Sequence, residues 1–521
     1  MTNLHHRPSK IDFLQLQADS MNPGKSLEIH LFAGSKTSPS ELADCKSQLE
    51  VLAPSTIKIF DGNYDSISAP SEFRKIGIVL ESPVTFHKSF LDNLGLVFNK
   101  TDTFCSYSDF CYVDSSGVYS KKLPAWSPIR YQSLDYLGPV LAFDLSVYFG
   151  ASPRDLVKRE QIIEFAATNS LRISRIPTSL YKSSLLLKQE RKTAENLSNA
   201  GSVSVVIPTQ GLRSEDPSLL ETCIASLSRQ TRVSGLELIV VADEGYDKDL
   251  ISHLREIIPT DFSFKLIEFN EPFNFSRKCN IGAAQASGEV IVFLNDDVEL
   301  ISSDAIAKLS SFAQLDGLGA VGSRLLFSDG SIQHAGITLH DSKPRNSYLD
   351  QFPRTTDFGD LEVPHEVSGV TGACLALKHE VFNQADGWNE DLPNSYNDVD
   401  LCLRLNDIGL QSVVLNDLKI IHNESSTRNP DFDIKAFENL KRNWPDALRS
   451  EPYLRSVEAN GVYQEPWGWH HSERTSLEGR YIAYTIHLTR KHGVVVALKQ
   501  LFSRVSGKSK RILNVTRHEY L

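Results

Sequence analysis

The residues of this chain best placed to do chemistry are Asn295-Asp296-Asp297, which follow five apolar residues, Val290 to Leu294. An apolar run bounded by polar residues reads as a fully buried strand. Carboxylates released at its C-terminal end would stand at the rim of an open α/β sheet, where ligands bind. Two adjacent acids beside an asparagine suit a hard divalent cation, which takes oxygen ligands and completes its shell with substrate phosphates. A polar turn that closes the strand would use the same residue types, so the triplet alone leaves both readings open.

Three more polar clusters follow the same logic. Pro208-Thr209 ends the run Val203 to Ile207, and Asp243-Glu244-Gly245 ends the run Leu236 to Ala242. An aspartate there can accept from a base or a ribose hydroxyl, or can serve as a turn residue. Asn397-Asp398-Val399-Asp400 comes after Gly387-Trp388-Asn389-Glu390-Asp391. Asp398 in the first turn of a helix complements the helix dipole. It can equally act as a general base on an attacking hydroxyl, a role worth roughly 10²–10⁴-fold in rate. Asp400 faces the other side of that turn and reads as structural. His422, in Ile420-Ile-His-Asn-Glu424, is either a hydrogen-bonded core histidine or a metal ligand. Gln333-His334-Ala-Gly336 follows the turn Ser328-Asp-Gly330. Arg277, in Phe273-Asn-Phe-Ser-Arg-Lys-Cys-Asn280, precedes a helix and can pair with a phosphate or stay solvated.

The elements that must position these groups are legible from residue 202 onward. Strands are expected at 203–207, 236–242, 265–267 and 290–294, alternating with helices over 217–230, 250–258 and 280–286. Such alternation implies βαβ units and a parallel sheet. It would bring Asp243 and Asp296/Asp297 to one crevice. Further strands are expected at 319–322, 371–377 and 413–415, with helices from Asp398, over 432–448 and over 482–505. Upstream, short apolar runs such as Ile76 to Leu80 and Gly138 to Phe143 suggest another α/β unit.

A chain of 521 residues is too long for one core. The expected organisation is a polar arm over 1–25, an α/β module over 26–190, a linker over 191–201, an α/β catalytic domain over 202–430 and a helical extension over 431–521. The total charge of −11 argues against nucleic acid as a partner. That charge is uneven: from Arg474 to Leu521 ten Lys and Arg face two acids, a net +8 that leaves −19 for the rest. A basic helical tail of this kind can lie on an anionic membrane surface or simply be solvated. Seven cysteines, with no Cys-x-x-Cys, point to a reducing compartment rather than a disulfide framework or zinc site. The polar start and the lack of a long apolar run imply a cytoplasmic location, at most peripheral on the membrane.

Taken in order, these pieces resemble a family-2 glycosyltransferase of the GT-A fold. The order runs Val-Ser-Val-Val-Ile-Pro208, Ile239-Val-Val-Ala-Asp-Glu-Gly245, Phe-Asn-Phe-Ser-Arg277 with Asn280-Ile-Gly282, and Phe-Leu-Asn-Asp-Asp-Val-Glu299. It continues with Gly322-Ser-Arg-Leu-Leu, Ile-Gln-His-Ala-Gly336, Thr-Gly-Ala-Cys374, Tyr-Asn-Asp-Val-Asp-Leu-Cys-Leu-Arg404 and His422-Asn-Glu-Ser. The resemblance is closest to enzymes of bacterial surface polysaccharides, including rhamnosyl- and galactofuranosyltransferases. It implies inverting transfer from a UDP- or dTDP-linked sugar to a glycan or lipid-linked glycan, with Mg²⁺ or Mn²⁺. It implies that Pro208, Thr209, Asp243, Glu244, Arg277, Asn280 and Asp296 bind the donor, with Asp243 on the base. Asp297 and His422 would hold the metal and Asp398 would deprotonate the acceptor. His334, Gly372, Ala373, Trp388 and Asn397 would line the sugar and acceptor pocket. The chain departs from the family pattern in having Asn295 where the metal triplet commonly begins with aspartate, and Glu244 as second acid of the strand-two pair. A synthase-type Gln-x-x-Arg-Trp is absent, with Arg442-Asn-Trp444 a loose echo.

The upstream half carries similar echoes in Tyr107 to Gly117, Pro124-Ala-Trp-Ser-Pro128 and Tyr136 to Ala142, but no intact acid set. It reads as a degenerate GT-A-like module for acceptor binding or docking. A bifunctional chain with two active domains, and a non-catalytic scaffold, are the competing expectations.

Overall fold

The computed structural model describes residues 27–453, apart from 35, 54–56, 62–72, 116, 152–156, 185–200, 211–217, 234, 246–247, 341–342, 354–357, 424–432, 450 and 452. The polar arm, nearly all of the linker, the expected helix over 482–505 and the basic tail lie outside the described residues.

The first half contributes β1 (Leu27–Ala33), β2 (Ile57–Asp61), β3 (Arg74–Leu80), β4 (Val84–Phe86) and β5 (Thr103–Ser108). It continues with β6 (Phe110–Asp114), β7 (Gly117–Lys121), β8 (Val140–Asp144), β9 (Arg172–Ile176) and β10 (Tyr181–Ser183). The second half contributes β11 (Val203–Thr209), β12 (Glu237–Asp243), β13 (Ser263–Phe269), β14 (Val290–Leu294), β15 (Val298–Leu300) and β16 (Leu318–Leu326). Then come β17 (Ile332–His334), β18 (Ile337–His340), β19 (Lys343–Asn346), β20 (His365–Val367), β21 (Cys374–Lys378) and β22 (Gln411–His422).

The larger sheet has the order β13-β12-β11-β14-β21-β16-β22-β15. Strands β13, β12, β11 and β14 are parallel, as the βαβ pattern predicts. Strand β21 then runs antiparallel to both β14 and β16, and β22 runs parallel to β16. The apolar runs of β11, β12 and β14 are buried throughout because helices cover both faces. Val205, Val240 and Val292 enter one core cluster, and Val206, Ile239 and Phe293 the cluster on the other face.

The smaller sheet has the order β2-β1-β3-β8-β5-β9. Here too β8 is antiparallel to both of its neighbours, and the flanking pairs are parallel. Strand for strand this repeats β12-β11-β14-β21-β16-β22, in the same chain order and the same directions.

Three boundaries differ from the sequence expectation for local reasons. Strand β11 runs on through Pro208 to Thr209, which is possible because β14 pairs with it only as far as Val206. The helix expected at 280 begins at Phe275, since Asn274 caps it by accepting from the Arg277 amide at 2.9 Å. The helix expected over 432–448 spans Ile434–Asn443, because Trp444 precedes Pro445 and is barred from helical geometry. Among the described residues no helix is long and apolar enough to cross a membrane.

Candidate functional site

The C-terminal ends of β11, β12 and β14 carry Thr209, Asp243 and Asn295-Asp296-Asp297 to one rim of the larger sheet. They are knitted together by Lys278, on the helix Phe275–Ala284. Its ammonium is buried, pairs with Asp243, and donates to the Thr209 carbonyl at 2.9 Å. Burial lowers the Lys278 pKa and the Asp243 carboxylate opposes that. The Thr209 hydroxyl in turn bonds the Asp296 carboxylate. Burial pushes Asp296 up to about 6, against the Thr209 hydrogen bond, and the charge of Asp297 adds to the rise. The basic residue expected here from the sequence is Arg277, whereas the structure places its neighbour Lys278 at the strand ends. The available signal was a lysine on the helix face that carries Phe275, Cys279 and Gly282.

His422 ends β22, and Val298 just after the acid triplet pairs with it across the sheet. That register brings His422 Nε2 to 2.9 Å from Asp297 Oδ1 and 3.2 Å from Asn295 Nδ2. Its Nδ1 lies 2.5 Å from Gln333 Oε1. With that nitrogen donating to Gln333, Nε2 keeps a lone pair, as a metal-ligating imidazole does when its other ring nitrogen donates to a carbonyl, so His422 and Asp297 would be able to hold a cation. Asn295 Oδ1 is buried with no hydrogen-bond partner among the described residues. A carboxylate, an imidazole and an orphaned amide oxygen fit a divalent cation that takes its remaining ligands from phosphate. No described cluster brings three His, Cys, Asp or Glu together, so any such shell depends on the ligand.

Asp398 stands in the first turn of the helix Asn397–Asp407, which Tyr396 enters at φ 62°. Such a backbone is costly outside glycine and persists where surroundings enforce it. The Gly372 amide donates to Asp398 Oδ2 at 3.1 Å, and the Val399 amide to Oδ1 at 2.8 Å. Gly372 is closely packed: a Cβ would lie 3.0 Å from the Trp388 ring, which would have to give by a few tenths of an ångström. Asp398, Gly372, Ala373, Asn397 and Asn295 line a cavity of about 320 Å³. Asn295, the first residue of the triplet, and Asp398 therefore line one space. Asp400, on the opposite side of the helix, accepts from Arg404 at 2.8 Å and from Trp444 Nε1 at 2.9 Å, the structural role expected of it.

Residues 204–385 match the sequence profile described as Glycosyl transferase family 2. The chain carries a family-2 glycosyltransferase domain. Its mixed sheet, with β21 reversed between parallel neighbours, is the GT-A arrangement. Asp398 and His422 lie beyond the matched residues, and geometry alone attaches them to the site. Relatives of the transferase domain include an uncharacterized protein of Sinorhizobium fredii, 32% identical over 43% of this chain and 25% of that protein. The O-antigen biosynthesis protein RfbC of Myxococcus xanthus is 34% identical over 44% of this chain and 18% of that protein. An N-acetylglucosaminyltransferase of Bradyrhizobium elkanii is 29% identical over 32% of this chain and 93% of that protein. The aligned part is a quarter or less of the length of the first two. Among solved structures, a mannosyltransferase from Pyrobaculum calidifontis in complex with GDP-Man and Mn²⁺ gives a TM-score of 0.38 at 16% identity, over 64% of this chain and 84% of that one.

Several expected site residues of the transferase domain lie elsewhere. Arg277 is on the surface, 3.3 Å from Glu271 and 3.5 Å from Glu390, because the helix turns it away from the strand ends that Lys278 faces. Glu244 is exposed, with its amide tied to the Phe269 carbonyl. Asn280 and Trp388 line a separate cavity of about 610 Å³ with Glu390, Asp400, Arg404 and Trp444. Asn280 is held there by Trp388 and Glu390. His334 sits one layer below the 320 Å³ cavity: its Nε2 accepts from Gly336 at 3.2 Å and Thr371 at 3.4 Å, and Nδ1 bonds Asn346 at 2.8 Å.

Proposed function

We propose that the transferase domain moves a sugar, with inversion, from a nucleotide-diphosphate donor to a hydroxyl of a glycan or lipid-linked glycan. The observation that carries this reading is the shared cavity: Asn295 forms one wall and Asp398 another. In it Asp398 takes the proton of the acceptor hydroxyl while the diphosphate leaves on the opposite side. The Gly372 and Val399 amides that donate to the carboxylate orient it. Asp243, oriented by Lys278, accepts from the nucleotide base, and Asp296 from the ribose. Asp297 and His422 would hold Mg²⁺ or Mn²⁺, which when bound offsets the charge growing on the diphosphate. The O-antigen biosynthesis relative supports a surface-polysaccharide product, and the N-acetylglucosaminyltransferase relative supports sugar transfer.

The test is Asp398→Asn, assayed with Mn²⁺ against a panel of UDP-, dTDP- and GDP-sugars and the glycans they would extend. Transfer is expected to fall by roughly 10²–10⁴-fold with donor affinity retained. A rate within tenfold of the wild type removes Asp398 as the base. If the wild type turns over no sugar nucleotide, the non-catalytic scaffold reading replaces this one.

A further inference from the structure

We propose that residues 27–183 are a duplicate of the transferase sheet that has lost its metal and base positions and now clamps the segment 358–373 beside the catalytic cavity. The duplication rests on register as well as strand order. Leu80 pairs with Val140 as Leu294 pairs with Cys374. Thr103 pairs with Arg172 as Leu318 pairs with Gln411. Val84 pairs with Ser183 as Val298 pairs with His422. The Glu81 amide donates to the Pro139 carbonyl at 2.9 Å, as the Asn295 amide donates to that of Ala373 at 3.0 Å. A one-residue slip would invert every side chain, so these coincident registers fix the correspondence.

Read across those registers, Ser82 and Pro83 stand where Asp296 and Asp297 stand. Ser183 takes the place of His422, and the Ser82 and Ser183 hydroxyls lie 3.1 Å apart. Arg159, as far ahead of Arg172 as Asp398 is of Gln411, occupies the base position and is paired with Asp135 at 3.0 Å. No carboxylate or imidazole remains at any of these four positions, and Glu81 takes the place of Asn295. The crevice is also filled. A Cβ on Gly34, at the end of β1, would lie 2.5 Å from the Glu81 carboxyl carbon. One on Gly138, the counterpart of Gly372, would lie 2.7 Å from the Tyr181 hydroxyl.

What the copy retains is a grip on its partner sheet. The helix Pro128–Ser133 presents its first turn to Glu366, a buried carboxylate on β20. Glu366 accepts from the Ser127 hydroxyl and from the Ile129 amide at 3.1 Å. Arg130 donates to the Phe358 carbonyl at 2.5 Å and to Asp360 at 2.6 Å. The two cores exchange side chains: Ile129 packs in that of the transferase domain, and Phe358 in that of the upstream half. The gripped segment continues to Gly369, which receives the Ile337 amide at 2.7 Å, and to Gly372, which bonds Asp398. Arg130 and Glu366 are thus positioning residues for the cavity floor.

Two measurements on the full chain test this. Mn²⁺ binding, followed by electron paramagnetic resonance with UDP or dTDP present, is expected to show one site per chain, abolished by Asp297→Asn. A second site, or one that survives Asp297→Asn, overturns the silenced-copy assignment. Absence of any site in the wild type still leaves the upstream half without a metal and counts against the catalytic reading instead. Hydrogen exchange is then compared for the wild type, Glu366→Gln and the harsher Arg130→Ala. Peptides covering 365–373 are expected to exchange about tenfold faster in both variants, with peptides of β12 and β13 unchanged. Unchanged exchange at 365–373, or a uniform rise along the chain, overturns the clamp. The exchange arm does not rest on the transferase reading.

Discussion

Lys278→Met probes the network beneath the donor site most directly. Methionine fills nearly the same volume, and its thioether can sit against the Phe269 ring, over which the ammonium now lies at 5.0 Å. The substitution removes the ammonium that donates to the buried Thr209 carbonyl, and losing such a hydrogen bond to a buried acceptor costs about 1–3 kcal/mol. It also leaves Asp243 without its ammonium. Breaking a fully buried pair costs about 3–5 kcal/mol. The Asp243 side chain is 28% exposed and rehydrates, and the desolvation cost of the lysine disappears, so this second contribution is small. The net loss is about 2–3 kcal/mol, a drop in thermal midpoint of roughly 4–12 °C. On the proposed role of Asp243 and Thr209 in holding the nucleotide, UDP or dTDP affinity is expected to fall about tenfold, or 1.4 kcal/mol. Circular dichroism melts and titration calorimetry measure both. A midpoint within about one degree of the wild type, with unchanged nucleotide affinity, would refute the role given to Lys278.

Two further outcomes follow from the same geometry. Arg277→Ala should leave nucleotide affinity and thermal midpoint unchanged, since its partners are exposed glutamates; a clear loss of donor binding would restore it as a phosphate ligand. Burial holds His334 down to about 4, against the Asn346 hydrogen bond and helped by His422, from an ordinary value of 6.5. As pH falls from 6.5 to 4 the unfolded chain takes up a proton that the folded chain does not. Stability therefore falls through that window by up to about 3 kcal/mol, and His334→Gln should flatten this limb of a melt-against-pH series.

The sequence determined what periodicity and local chemistry encode. Continuous apolar runs ended by polar residues located β11, β12 and β14, because a parallel strand covered on both faces must be apolar throughout. The acids at their ends were legible for the same reason: the run stops where the chain leaves the core. A proline after Trp444 ended a helix that the apolar pattern alone would have extended.

Only the tertiary structure decided which side chain of a polar pair faces the site. Arg277 and Lys278 are adjacent in sequence, and helix rotation alone sends one to solvent and the other under Asp243. The sharing of one cavity by Asn295 and Asp398, far apart in the chain, depends on where β21 is inserted between β14 and β16. Asn295-Asp296-Asp297 meets His422 only because β15 pairs antiparallel with the end of β22. Motif echoes suggested a related upstream module, but only the strand registers align the two halves residue by residue, and under the proposed duplication Pro83, Ser183 and Arg159 stand where Asp297, His422 and Asp398 stand. Pairing between distant strands is a non-local property, and local residue patterns carry no record of it.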